Sequence, residues 1–178
     1  MSGPISPDRV RFRAARPDDA DVLRRWDEEP DVDASGGDDD GYDWDRELPR
    51  SVPWREMVIA EVDAVPAGVF VIIDAGEEES HYWGEVPPGT WAVDIWIGDA
   101  ANRGRGLGRV MMAEAVRRCI IDHGALDVLI DPLVSNTRAL AFYCAIGFEE
   151  VGPRTFGDDD CLVMRWVPGR EEELPSPP

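Results

Sequence analysis

Hydrophobic and polar positions change their spacing along the chain, and each change marks an element. Val10 to Ala14 alternates apolar and charged side chains, which predicts a half-buried strand. Arg16-Pro17-Asp18-Asp19 leads into Ala20 to Trp26, a short helical pattern that Asp18 or Asp19 can cap. Residues 30 to 50, rich in Asp, Gly and Pro, carry no regular period and predict a loop or broken helices. Met57 to Val62 and Ala67 to Asp74 predict two strands, joined as a hairpin around Asp63-Ala64-Val65-Pro66. After a loop-like stretch from Glu77 to Gly89, the run Trp91 to Ile97 puts Val93, Ile95 and Ile97 on one strand face and Asp94 and Trp96 on the other. Val110, Met111, Ala113, Ala115, Val116, Ile120 and Ile121 include pairs three and four apart, which predicts an amphipathic helix starting near Gly106. Ala125 to Asp131 reads as a buried strand ending in a carboxylate. Thr137 to Ile146 reads as a second helix, with Asn136 as its cap and Gly147 at its end. Phe148 to Val151 and Cys161 to Val167 predict a closing antiparallel pair, and beyond Pro168 the tail has nothing to bury.

With 178 residues and 43% hydrophobic content, the chain supports one well-packed core, so a single domain over residues 1 to 168 with a disordered tail at 169 to 178 is expected. Apolar runs such as Val69 to Ile73 are far short of the ~20 residues of a membrane-spanning helix, and the N-terminus has no secretion-signal pattern, so a cytoplasmic protein is expected. Cys119, Cys144 and Cys161 form no CxxC pair and are odd in number, which fits a reducing compartment and argues against a disulfide frame or a metal site. They are expected in the core.

Charge narrows the partners. The formal net charge is −19, and between Asp18 and Glu47 there are 14 acidic residues against 3 Arg. Such a field repels nucleic acid and anionic membranes and attracts polycations. The acidic run is either a solvated surface or the mouth of a cation-binding site. Trp26, Tyr42 and Trp44 lie within it, aromatics that solvation alone does not require.

The sharpest local signal is Asn102-Arg103-Gly104-Arg105-Gly106-Leu107-Gly108, placed where a helix begins. Helix N-termini present unpaired N–H groups and the positive end of the dipole, and glycines let a phosphate approach closely. No lysine is present, so a Walker loop is excluded, and Arg109 stands where the GxGxxG fingerprint needs glycine. Asp94, a carboxylate inside an apolar run, must face water, pair, or take part in chemistry.

Arg103-x-x-Gly106-x-Gly108 opening a helix, then Ser135-Asn136-Thr137-Arg138-Ala139-Leu140-Ala141-Phe142-Tyr143 and Ile146-Gly147-Phe148-Glu149, resembles the acetyl-CoA-binding half of GNAT N-acetyltransferases. The stretches Pro88 to Gly98 and Ile130 to Asn136 are similar to aminoglycoside 6'-N-acetyltransferases, with Asp94 and Asp131 at the places of that group's two aspartates. The resemblance implies an α/β (α+β) GNAT fold: a central mixed, mostly antiparallel twisted sheet flanked by helices on both faces. It further implies acetyl-CoA as cofactor and a cationic small-molecule amine as acceptor, handled by a monomer or homodimer with no metal. Asp94 would serve as base and Tyr143 as acid, with an aromatic packed on the buried face of its helix as the alternative for Tyr143. A bulge near Ile95, Trp96 and Ile97 would supply oxyanion donors beside the pantetheine arm, and Arg103, Gly104, Arg105, Gly106, Leu107, Gly108 and Arg109 would hold the pyrophosphate. Asn136, followed by Ala139, is either a cofactor ligand or a helix cap. Asp131, Trp26, Tyr42, Trp44, Tyr82 and Trp83 are candidates for the acceptor site, with Tyr82, Trp83 and His81 alternatively a loop packing cluster. His123 reads as structural. Because the segment from Asp31 to Trp44 shows no closer kinship, an acceptor such as a siderophore precursor, a lysine or a protein N-terminus remains the alternative, as does a non-catalytic acetyl-CoA-binding domain.

Overall fold

The computed structural model describes residues 3–30, 32 and 41–166. The acidic stretch 31 to 40, apart from Val32, and the tail expected at 169 to 178 lie outside the described residues.

Among the described residues, seven strands form one sheet in the order β1-β2-β3-β4-β5-β7-β6. These are β1 (Val10–Ala14), β2 (Arg55–Val62), β3 (Val65–Asp74), β4 (Thr90–Ile97), β5 (Asp127–Ile130), β6 (Phe148–Phe156) and β7 (Asp159–Trp166). All neighbours pair antiparallel except β4 and β5, which run parallel. The expected mixed, mostly antiparallel sheet is therefore present. Among the helices of the described residues are α1 (Ala20–Asp27), α2 (Trp44–Glu47), α3 (Leu107–Arg117) and α4 (Thr137–Ala145). A wider π-type turn, Arg118–Asp122, prolongs α3.

Both sheet faces are covered, which explains why Ala67 to Ile73 is buried without alternation. On the first face Phe70, Ile72, Trp91 and Val93 pack against Leu107, Val110, Met111 and Ala115 of α3. On the second face Ile59, Val69 and Trp96 pack with Leu23 and Trp26 of α1 and Trp44 of α2. Farther along that face Ala92, Leu129, Cys161 and Val163 pack with Trp83 and Phe156. Asp94 sits on the second face between these two clusters, flanked along β4 by Ala92 and Trp96.

Three local expectations are corrected. Asp19 does not bond the N-terminus of α1; its carboxylate accepts from the Arg16 N–H at 2.8 Å and from Arg13 at 2.7 Å, so it ties α1 to β1. The β2–β3 connection closes in two residues, Asp63 and Ala64, both at positive φ, so Val65 and Pro66 already belong to β3. The β6–β7 hairpin continues to Phe156 and returns from Asp159, beyond the pattern, because its middle residues face solvent and a register shift falls between Glu150 and Gly152. The cysteines also divide: Cys119 and Cys161 are buried as expected, whereas Cys144 is exposed.

The feature that positions the site is the parting of β4 from β5. Their ladder covers only Thr90 to Ala92 against Asp127 to Leu129, while β4 runs on to Ile97. The expected bulge near Ile95 to Ile97 is absent, since the β3–β4 register is unbroken from Asp74↔Trp91 to Gly68↔Ile97. Thr90 O and Gly98 N bond toward β3, so the alternation of an antiparallel ladder turns the N–H groups of Ile95 and Ile97 toward the gap left by β5. A splayed pair of strands thus presents the donors that a bulge was expected to present.

Candidate active site

Asp94 emerges from the middle of β4 because side chains alternate between faces and its even-numbered neighbours belong to the second face. Its Oδ2 accepts a hydrogen bond from the Tyr42 hydroxyl at 2.7 Å. Asp131, one residue past β5, accepts from the Tyr82 hydroxyl at Oδ2, also at 2.7 Å. Tyr82 is held by its ring, which lies parallel to that of Phe156 with centroids 4.4 Å apart. Tyr143 comes from α4, its ring tilted against Phe142 at 5.2 Å and edge-on to Phe148 at 5.8 Å.

The electrostatics tie these residues into one cluster. Burial pushes the Tyr143 phenol well above its ordinary value, and the negative charges of Asp94 and Asp131 push it further. Tyr82 is raised in the same way by burial, then by Asp131 and the bond to it, with Cys161 and Asp94 adding to the effect. Both phenols therefore hold their protons at neutral pH. Two carboxylates and three phenols from five segments of the chain converge, an arrangement suited to an ammonium group and a proton transfer.

The indoles expected to touch an acceptor have a different place. Trp26, Trp44 and Trp83 are 0%, 2% and 4% exposed, so they are core side chains behind the site rather than ligand-facing walls. Trp26 lies against the end of β4, where a Cβ on Gly98 would fall 2.1 Å from its ring. Trp44 donates its indole N–H to Asp27 at 2.5 Å, and Trp83 packs edge-on to Phe156 at 5.2 Å. His81 is exposed, and His123 stacks on Trp91 at 4.3 Å, the structural place expected of it. Gly98 and Phe156, which support the site, were not singled out by pattern; a glycine directly after a buried strand was the available signal for the first.

The glycine loop leads into α3 as expected. Gly106 caps the helix at φ +90° and Gly104 sits at φ +69°, conformations that only glycine adopts readily. A Cβ at either position would meet nothing within 4 Å, so the loop faces open space, and with no side-chain cap the first N–H groups of an 11-residue helix point outward. This cradle fits a diphosphate. The arginines are otherwise engaged: Arg103 bonds Gly98 O at 2.6 Å, Ile97 O at 3.3 Å and Glu29 at 3.5 Å, clasping the end of β4. Arg105 bonds Gly3 O at 2.9 Å and Arg109 bonds Ala145 O at 3.4 Å. Leu107 is fully buried, so its backbone alone faces the loop, and Gly108 packs closely, its Cβ position 3.4 Å from Phe142. Asn136 acts as the cap of α4, accepting from the Ala139 N–H at 3.1 Å.

A surface hollow of about 360 Å³, lined in part by Trp83, Leu129, Arg154 and Arg165, lies beyond Trp83 and includes neither Asp94 nor Asp131. Among the described residues, no group of three or more His, Cys, Asp and Glu could hold a metal ion, and no helix is long and apolar enough to cross a membrane.

Residues 16–156 match the family described as acetyltransferase (GNAT) domain. A kanamycin resistance protein of Rhizobium radiobacter is 31% identical over 88 residues, covering 49% of this chain and 82% of that protein. An aminoglycoside N(6')-acetyltransferase type 1 of Klebsiella pneumoniae is 29% identical over 110 residues, 60% of this chain; the matched part is about half, 53%, of that relative's length. The fold is similar to that of AAC(6')-Ib in complex with paromomycin and acetyl-CoA, at a TM-score of 0.80 and 24% identity over 94% of this chain and 98% of that one.

Proposed function

The chain belongs to the GNAT acetyltransferase family, and from that premise we propose that it is an acetyl-CoA-dependent N-acetyltransferase acting on a primary amine of a cationic small molecule, of the aminoglycoside 6'-N-acetyltransferase type. The observation that carries the acceptor class is the pair of carboxylates, Asp94 and Asp131, each held by a tyrosine hydroxyl at 2.7 Å. The kinship with the kanamycin resistance protein and the aminoglycoside N(6')-acetyltransferase supports the same class.

Acetyl-CoA, when bound, supplies an acetyl group activated as a thioester. The open N–H groups at Gly106 to Gly108 would hold its diphosphate, and the β4 edge at Ile95 and Ile97 would line the arm. An alkyl ammonium, with a pKa near ~10 like that of lysine, must lose a proton before it becomes a nucleophile. Asp94 binds that ammonium and accepts its proton at the carboxylate. Asp131 binds a second positive charge and orients the acceptor. Tyr143, kept protonated by burial and by both carboxylates, holds a proton at its hydroxyl for the departing sulfur.

The test is to incubate the purified protein with acetyl-CoA and a panel of aminoglycosides, polyamines, hydroxylysine and peptides while thiol release is followed. Turnover of aminoglycosides is expected. Turnover of peptides alone would remove the small-molecule reading.

A further inference from the structure

We propose that Tyr42 is a positioning residue for Asp94: its hydroxyl, on a ring packed against two indoles that also touch each other, orients the carboxylate and favours its charged form. The inference rests on Asp94 being the proton acceptor of the reaction proposed above.

The geometry of the ring makes this more than a surface contact. Tyr42 stacks on Trp44 with centroids 5.0 Å apart and planes 26° from parallel, and on Trp96 at 6.2 Å and 19°. Trp44 is itself immobilised by burial and by its bond to Asp27. Asp43, between Tyr42 and Trp44, accepts from the Arg46 N–H at 3.3 Å and caps α2, which fixes the backbone on which Tyr42 stands. Trp96 is two residues beyond Asp94 on the same face of β4, so the strand that carries the carboxylate also carries one wall of the ring. Packing alone would be satisfied by the ring; the 2.7 Å bond engages the hydroxyl.

A base in this site has a problem that the phenol addresses. The groups that act on Asp94 from the packed elements include Tyr42 before α2, Tyr82 on the loop before β4 and Tyr143 on α4, and Asp131 after β5 shares the last two with it. Asp131 is a like charge, and a like charge together with partial burial favours protonation of a carboxylate, which would silence a base. A hydrogen bond donated to the charged form opposes that effect. Tyr42 supplies it for Asp94, as Tyr82 does for Asp131.

Tyr42→Phe keeps the ring and removes the hydroxyl, and two measurements read the consequence. In protein labelled with ¹³C at aspartate carboxyls, with Asp94→Asn used to assign the signal, Asp94 should titrate about 0.5 to 1 pH unit higher in Tyr42→Phe than in the wild type. In turnover, the acid limb of kcat/KM should move to higher pH by the same amount, kcat should fall roughly 10-fold, and coenzyme A titration should be unchanged. The same substitution in the Asp94→Asn background should change the rate less than about twofold, because the partner is gone. An unchanged Asp94 titration, or a rate loss equally large in the Asp94→Asn background, overturns the proposal and places the hydroxyl on the acceptor instead. If the wild type acetylates no amine in the panel, the acetyltransferase reading fails, while the carboxyl titration still decides the role of Tyr42.

Discussion

The Tyr82 hydroxyl donates to Asp131 across 49 positions of sequence, at 2.7 Å, from a ring laid flat on Phe156. A loop between β3 and β4 is thereby fastened to the residue that follows β5. The loop contributes a fixed donor to the site because an aromatic stack sets the ring before the hydroxyl bonds.

Tyr82→Phe should therefore loosen Asp131 without disturbing the fold. A hydrogen bond to a charged group contributes roughly 1.5 to 3 kcal/mol when well shielded, and the 44% exposure of Tyr82 reduces that. The expected outcome is a rise of about 3- to 10-fold in the acceptor KM, with kcat and the acetyl-CoA KM nearly unchanged. Steady-state kinetics at saturating acetyl-CoA checks it; a fall confined to kcat would show that Asp131 does not serve acceptor binding.

Gly106→Val acts at the other end of the site. A branched side chain at φ +90° is strained by about 1 to 2 kcal/mol, and its methyls would occupy the open space in front of the α3 N–H groups. Calorimetric titration with coenzyme A should show affinity lowered on the order of 10-fold or more. Gly104→Ala, strained in the same sense at φ +69° but earlier in the loop, separates strain from blockage. Equal losses for both variants would assign the effect to strain.

Gly98→Ala probes the support behind Asp94. The added Cβ would fall 2.1 to 2.2 Å from the Trp26 indole, a rigid ring with 0% exposure. Overpacking of a filled core costs typically about 1 to 3 kcal/mol, and here it would push α1 from the end of β4. Thermal unfolding should move down by roughly 3 to 10 °C for a domain of this size. An unchanged melting temperature would mean that the indole is free to shift.

Much of the fold is legible along the chain, because β4 and α3 carry periodic apolar patterns, β5 is a short apolar run ending in a carboxylate, Asn136 and Gly147 bracket α4, and the glycine loop marks where α3 begins. Asp94 and Asp131 are legible for a related reason: a carboxylate within or at the end of a buried strand has to be accounted for. The partners of these carboxylates are not legible, since Tyr42 and Tyr82 reach them through tertiary folding with no local spacing to signal it. The acidic run misleads in one respect. Trp26 and Trp44 lie among carboxylates in sequence but serve the core of the second sheet face, where the charged neighbours of α1 turn outward. The bulge expected in β4 fails for another physical reason. Donors can be turned toward a ligand by parting two strands as well as by kinking one, and a pattern of side chains does not record the pairing of edges.

Acid stability should depend on Glu114, which is 5% exposed near the end of α3. Burial favours its neutral form, but bonds from Arg117 at 2.8 and 3.1 Å and from Arg118 at 2.7 Å outweigh burial and hold its carboxyl below the usual range. A carboxyl depressed in the folded state contributes stability that is present above the unfolded pKa of about 4.3 and is lost as pH falls through the folded value. Asp19 and Glu47 are depressed in the same sense, burial being outweighed by Arg13 with the Arg16 N–H in one case and by Arg55 with Arg50 in the other. Asp27 and Asp127, raised chiefly by burial, act in the opposite sense. Glu114→Gln keeps the shape and removes the titration, so its melting temperature at pH 7 should be lower than the wild type's while its decline from pH 5 to pH 3 should be shallower. Melting curves of both proteins across that range make the comparison; parallel declines would show that the Glu114 ion pairs contribute nothing to acid sensitivity.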